Sequence, residues 1–297
     1  MATQTSAGPA LLRNEFERDA FTYYDTKRQD ALNLDLGHAD GFYHHHFAVG
    51  DFDRSILGRA GVSRDKAIDA ELHRMETRQV DVLIDALSGM QAGSRLLDAG
   101  SGRGGTSFLL HRAFGCVVDG VNFSSYQNDF ARAQAAKHGC ARDVRFHDRN
   151  MIDTGFADDT FDYLVTNETT MYVQLPEAFA EFARVLKPGG VYVLVTWCCD
   201  DTIAPESAEA AAIDEHYRCH THRRDSYLRA LLDAGLTPFQ VDDLTRPATP
   251  YWELRRESAL ASGVEDAFLD GYRSGRVNYM RILSRCGGPG TEPHVQP

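Results

Sequence analysis

The chain has 297 residues, 43% hydrophobic and 25% charged, and 31 Lys and Arg against 43 Asp and Glu give a formal charge of −12. A chain of this length buries a full core without staples, and its acidity makes it a poor partner for the phosphates of nucleic acid or anionic lipid. No apolar run in it is long enough to cross a bilayer.

Residues 1–15 are small and polar and residues 287–297 are rich in Gly and Pro, so both ends are expected to be disordered. The start lacks a basic, apolar leader, which points to the cytoplasm and to free thiols at all six cysteines. Ile68, Leu72, Met75, Val80, Leu83, Ile84 and Leu87 recur at helical spacing and predict one long amphipathic helix, capped at Ser63 and stopped at Gly89. Residues 16–90 then read as an N-terminal helical lid, and 91–286 as one catalytic domain.

Beyond that helix the pattern alternates. A strand at Arg95–Asp98 enters a Gly-rich turn and a helix at Thr106–Phe114. A strand at Val117–Val121 precedes a helix at Ser125–His138, ended by Gly139. Strands follow at Val144–His147 and Phe161–Thr166, then a helix opening at Pro176 and a strand at Val191–Trp197. Helices near Ala208–Cys219 and Ser226–Ala234, strands at Gln240–Leu244 and Val277–Leu283, and a helical insert from Tyr251 complete the chain. Successive βαβ units of this kind predict an α/β fold with a parallel, doubly wound sheet and helical inserts after the fifth strand.

The sharpest local signal is the run from Leu96-Leu97-Asp98 through Gly100, Gly102, Gly104 and Gly105, a buried strand ending in an acidic residue before a Gly-rich turn. Glycines let backbone approach a ligand, and the following helix offers free N–H groups. A dinucleotide fingerprint is the competing reading, but the third-glycine spacing is missing and Asp98 would repel a pyrophosphate. Asp98 suits the ammonium of an amino-acid moiety instead.

Together with Gly120-Val121-Asn122-Phe123-Ser124, Gln127, Asn150-Met151 and Leu186-Lys187-Pro188-Gly189-Gly190, this turn resembles the class I S-adenosylmethionine-dependent methyltransferases over residues 65–200. The resemblance implies a Rossmann-like domain whose Asp98–Gly104 loop cradles the methionine part of S-adenosylmethionine. Asn122 and Gln127 would face the ribose, and Asn150 and Met151 would border the adenine. Many such enzymes carry a carboxylate where Asn122 stands, and an amide accepts only through its carbonyl oxygen, so Gln127 is expected to share that task.

Three further runs lie outside those motifs: Gly41-Phe42-Tyr43-His44-His45-His46, Asn167-Glu168-Thr169-Thr170-Met171-Tyr172 and Pro250-Tyr251-Trp252-Glu253-Leu254-Arg255. With Glu71-Leu72-His73-Arg74 they extend a resemblance to the actinobacterial prenyl diphosphate C-methyltransferases over residues 35–280. That likeness implies a diphosphate pocket near Tyr43, His44, His45 and His46, with Asn167, Tyr251 and Arg255 also contacting substrate. It further implies Mg²⁺ held by substrate oxygens and water, with no metal ligand assigned to the protein, and a homo-oligomer.

Methylating an alkene carbon leaves a carbocation, so such a site needs aromatic faces and then a base. Each face is worth ~2 kcal/mol to a desolvated cation. Tyr43, Tyr172 and Trp252 are the leading aromatic candidates, with Phe47, Tyr217 and Tyr251 behind them. Glu168 follows a strand end at the ligand-binding edge and is the expected base. Arg54 and Arg276 are weaker phosphate candidates. A zinc site on His44 and His46, which share a face on a strand, would need ligands from afar.

Substrate length stays open. Geranyl diphosphate enzymes of the family carry an aromatic residue after the fifth strand, whereas Thr202–Asp214 contains none. Isopentenyl diphosphate is therefore a rival acceptor, and a lipid alkene or a natural-product O or N atom is the alternative outside the family.

Overall fold

The computed structural model describes residues 11–26, 31–202 and 207–287. Apart from residues 11–15 and Gly287, the ends expected to be disordered lie outside those described. Seven strands form one sheet: β1 (Arg95–Ala99), β2 (Val117–Asn122), β3 (Val144–Asp148), β4 (Phe161–Asn167), β5 (Leu186–Cys199), β6 (Leu236–Asp243) and β7 (Val277–Cys286). Their order is β3-β2-β1-β4-β5-β7-β6. In β1, Leu96 joins one hydrophobic cluster and Leu97 the other, so the apolar strand buries both faces between layers of helices.

Strands β1 to β5 are parallel, as the alternating pattern predicts, but β7 pairs antiparallel with both β5 and β6. The insert between β6 and β7 explains this correction. It contains two helices, α9 (Thr245–Arg256) and α10 (Val264–Ser274) in chain order, and an even number of helices returns the chain to the edge it left. Strand β7 therefore starts at the carboxyl edge of the parallel strands, opposite Cys199. Helix α9 also begins earlier than the insert expected from Tyr251, and Pro250 lies inside it.

The other helices are α1 (Glu15–Thr26), α2 (Ala31–Gly37), α3 (Gly61–Ala86), α4 (Gly105–Phe114), α5 (Ser125–Lys137), α6 (Leu175–Val185), α7 (Ala208–Tyr217) and α8 (Arg224–Asp233). Helix α3 starts before the Ser63 cap expected from sequence, because the chain turns at Gly61, whose φ of +56° rarely suits a side chain. Ser63 is left inside the first turn, and the helix ends at Ala86, with Leu87 as its cap, before Gly89 is reached. All six cysteines are buried and free. Among the described residues, no helix is long and apolar enough to cross a membrane.

Candidate active site

The carboxyl ends of β1, β2 and β4 open into a cleft, the position where parallel α/β sheets gather ligands. Asp98 is buried one residue before the end of β1 and lines the cleft. Its carboxylate accepts a 2.5 Å hydrogen bond from Ser107 Oγ, and burial pushes its pKa up to about 6. A partner cation is what such a carboxylate lacks.

Gly100, with φ of +88°, leads the turn past Thr169, and a Cβ there would stand 2.5 Å from Thr169 Cγ2. At Gly104, with φ of +86°, a Cβ would meet Phe146 at 2.6 Å. The backbone is therefore held close to its neighbours, with Gly102 and Ser101 lining the cleft between them. Ser101 Oγ is buried and has no hydrogen-bond partner among the described residues.

At the end of β2 the Asn122 amide donates to Gln127 Oε1 at 2.7 Å and accepts from Ser124 N–H at 3.2 Å. Both residues line the cleft, as does Met151. Asn150 does not. Its amide donates to Glu17 Oε2 at 3.0 Å and to the Leu11 carbonyl at 3.1 Å, which fastens the start of α1 to the turn after β3.

The histidine run forms one wall, and its tautomers follow from its bonds. His46 Nδ1 lies 2.8 Å from the Phe47 carbonyl and must be the protonated nitrogen, so Nε2 accepts from His44 Nδ1 at 3.1 Å. His44 Nε2 then accepts from Thr77 Oγ1 at 3.2 Å. Burial holds both rings neutral, with the His46 pKa lowered to about 4. His45 accepts from Arg103 at 2.8 Å, and that guanidinium is buried although it lines the cleft. Among the described residues no group of three or more His, Cys, Asp or Glu is arranged to hold a metal ion.

Glu168 follows β4, with its N–H donating to the Val195 carbonyl at 2.8 Å and a φ of +57° that turns the side chain into the cleft. Phe47 N–H donates to both carboxylate oxygens at 3.0 and 3.1 Å, and Tyr279 OH donates to Oε1 at 2.5 Å. Burial pushes the carboxyl pKa up to about 8 against the pull of those two donors, with Glu76 close by as a second carboxylate. Asn167, also in the cleft wall, exchanges two amide bonds with Gln79.

Tyr43 and Tyr172 line the cleft with Tyr24, whose hydroxyl donates to that of Tyr172 at 2.7 Å. Tyr251, Trp252 and Arg255 do not line it. Helix α9 turns them toward α10 and α3, behind Phe47: Trp252 stacks on Phe268 with centroids 3.9 Å apart, and Tyr251 OH donates to Glu76 Oε1. Arg255 lies between Tyr251 and Glu265, at 3.4 and 3.5 Å. The exposed phosphate candidates are engaged elsewhere, Arg54 by Glu253 and Arg276 by Glu209. Trp252→Ala is accordingly expected to act as a core deletion, lowering stability by about 3–5 kcal/mol in a thermal or denaturant melt.

A model for the methyltransferase domain matches residues 97–194. A geranyl diphosphate 2-C-methyltransferase of Saccharopolyspora erythraea is 44% identical over 88% of this chain and 92% of its own. The chain belongs to the geranyl diphosphate 2-C-methyltransferase family. The Streptomyces coelicolor member is 38% identical over 96% of this chain and 99% of its own. A crystal structure of the geranyl diphosphate C-methyltransferase from that organism, in complex with Mg²⁺, geranyl-S-thiolodiphosphate and S-adenosyl-L-homocysteine, superposes with a TM-score of 0.88. It is 39% identical and covers 93% of this chain and 99% of that one.

Sequence reasoning missed Ser101, Arg103, Thr106 and Tyr24 in this family member's cleft. The first two sit inside the Gly-rich turn and were legible there as polar residues among the glycines. Tyr24 carried no signal, since its place depends on α1 folding across the cleft.

Proposed function

We propose that this chain transfers a methyl group from S-adenosylmethionine to an alkene carbon of geranyl diphosphate and then removes a proton to restore the double bond. One observation carries the reading: a buried, twice hydrogen-bonded carboxylate, Glu168, shares a cleft with the Asp98 and glycine cradle of a methyl-donor site.

Asp98 pairs with the ammonium of the donor and Ser101 Oγ bonds its polar tail. The Asn122 amide is committed at both ends, so the free side of Gln127 takes up the ribose, and Met151 borders the adenine. Bound S-adenosylmethionine supplies an electrophilic methyl on a sulfonium, and Mg²⁺ supplies charge to the diphosphate. Arg103 and His45 lie on the wall available to that diphosphate, while the neutral pair His44 and His46 shapes the pocket.

Attack by the alkene leaves a tertiary cation, which the Tyr43 and Tyr172 rings and the Glu168 charge stabilise. The Glu168 carboxylate then takes the proton from the carbon beside the cation. The electron pair of that C–H bond becomes the new double bond.

Trp197 and Tyr217 pack tilted against Phe47, with centroids 5.1 and 5.8 Å from it, and flank in sequence the segment that lacks aromatics. None of these three rings lines the cleft, and geranyl diphosphate is favoured over isopentenyl diphosphate by the relatives named for it, which share 44% and 38% identity with this chain. The chain is also expected to associate with copies of itself, as the family resemblance implies. In parallel incubations, geranyl diphosphate is expected to exceed isopentenyl diphosphate in kcat/KM by about 100-fold. Equal rates would overturn the chain-length assignment. EDTA is expected to stop turnover while leaving S-adenosylhomocysteine binding intact, because the metal rides on the diphosphate alone.

A further inference from the structure

The base has a partner from the far end of the chain. Tyr279 is fully buried in β7, opposite Trp197 of β5, and reaches the carboxyl edge only because β7 runs antiparallel. Its hydroxyl stands 2.5 Å from Glu168 Oε1. Gln79 of α3, also fully buried, donates its amide N–H to the same phenolic oxygen at 3.1 Å.

That second bond fixes a direction. A phenol has one proton, and an oxygen already accepting from Gln79 points its own O–H at Glu168. The Gln79 amide is itself locked, since it exchanges bonds of 2.9 and 3.0 Å with Asn167, whose Nδ2 also reaches Thr106 Oγ1 at 3.3 Å. Four elements, α3, α4, β4 and β7, thus converge on one carboxylate oxygen.

We propose that Tyr279 is a positioning residue for the deprotonation step, with Gln79 orienting its hydroxyl so that Oε1 is held and Oε2 is presented to the substrate proton. This rests on Glu168 being the base. Phe47 N–H spans both oxygens and cannot choose between them, whereas Tyr279 bonds only Oε1. The hydroxyl also donates to the ionised form of the carboxyl, the form that both steadies the cation and takes the proton.

Other groups face Glu168 from the elements around it: Glu76 of α3, Tyr24 of α1 and Tyr272 of α10, with Tyr251 and Arg255 of α9 beyond Glu76. Tyr279 is the residue whose side-chain hydroxyl donates to Glu168 Oε1, so deleting that hydroxyl removes this donor while leaving the surrounding charges in place.

The test is the pH dependence of kcat for Tyr279→Phe, at saturating S-adenosylmethionine, Mg²⁺ and geranyl diphosphate. Burial already places the Glu168 pKa at about 8, and loss of a donor to the charged form raises it further. The acid limb is expected to move to higher pH by about one unit, a roughly tenfold loss at pH 7 that closes as pH rises. Binding of S-adenosylhomocysteine should be unchanged. A uniform loss at every pH, with the limb where the parent has it, overturns the proposal.

Glu168→Gln, assayed alongside, separates the two claims. Normal turnover there sinks the base assignment and this proposal together, while an inactive Glu168→Gln beside an unmoved Tyr279→Phe limb sinks this proposal alone. Should Tyr279→Phe fold too poorly to assay, Gln79→Met decides: a smaller upward shift supports the role and an unmoved limb overturns it.

Discussion

Glu168→Gln is expected to lose about 10³-fold in kcat with geranyl diphosphate while binding S-adenosylmethionine as tightly as the parent. Glutamine is nearly isosteric, keeps the backbone at its φ of +57°, and can still accept from Tyr279 and Phe47 through one oxygen. It can neither accept the substrate proton nor offer a negative charge to the cation. In the proposed mechanism those two losses fall on successive steps, since the carboxylate would first steady the cation and then take its proton. Steady-state turnover and a separate titration of cofactor affinity check this, and a kcat within about tenfold of the parent would remove Glu168 from the chemistry.

Asp98→Asn is expected to leave the fold intact and weaken S-adenosylmethionine binding by about 100-fold. The carboxylate is 2% exposed, and within the protein its side chain accepts from Ser107. Its pKa is raised to about 6 by burial, so the free protein begins to protonate it below that pH. A bound ammonium favours the ionised form and pulls the pKa back down. Cofactor affinity should therefore be full above pH 6 and fall as the pH drops below it, and the Asn variant should show no such fall. Calorimetric titration at several pH values reads both effects, and a variant that binds like the parent would place the ammonium elsewhere.

The sheet core and the Gly-rich edge of the cleft were legible because their signals are local. Buried strands read as apolar runs, the Gly-rich turn carries its own geometry, and Glu168 was marked by its position after β4. What escaped depends on contacts distant in sequence. Asn150 turned out to be held by Glu17, 133 residues away, so its place outside the cleft could not be read from the turn after β3. Tyr279 meets Glu168 across 111 residues and Gln79 across 200. The direction of β7 follows from the parity of helices in the insert, and the face of α9 that holds Tyr251, Trp252 and Arg255 follows from packing on α10, where aromatic content alone predicts a substrate wall.

The methyl carbon is expected to end on an alkene carbon of geranyl diphosphate. The most direct measurement supplies S-adenosylmethionine with a ¹³C-labelled methyl, Mg²⁺ and geranyl diphosphate, removes the phosphates, and locates the label in the prenol by NMR and mass spectrometry. One labelled methyl bonded to a double-bond carbon, with the double bond retained, is the expected result. Label on oxygen, or an unlabelled geraniol recovered beside spent cofactor, would contradict it.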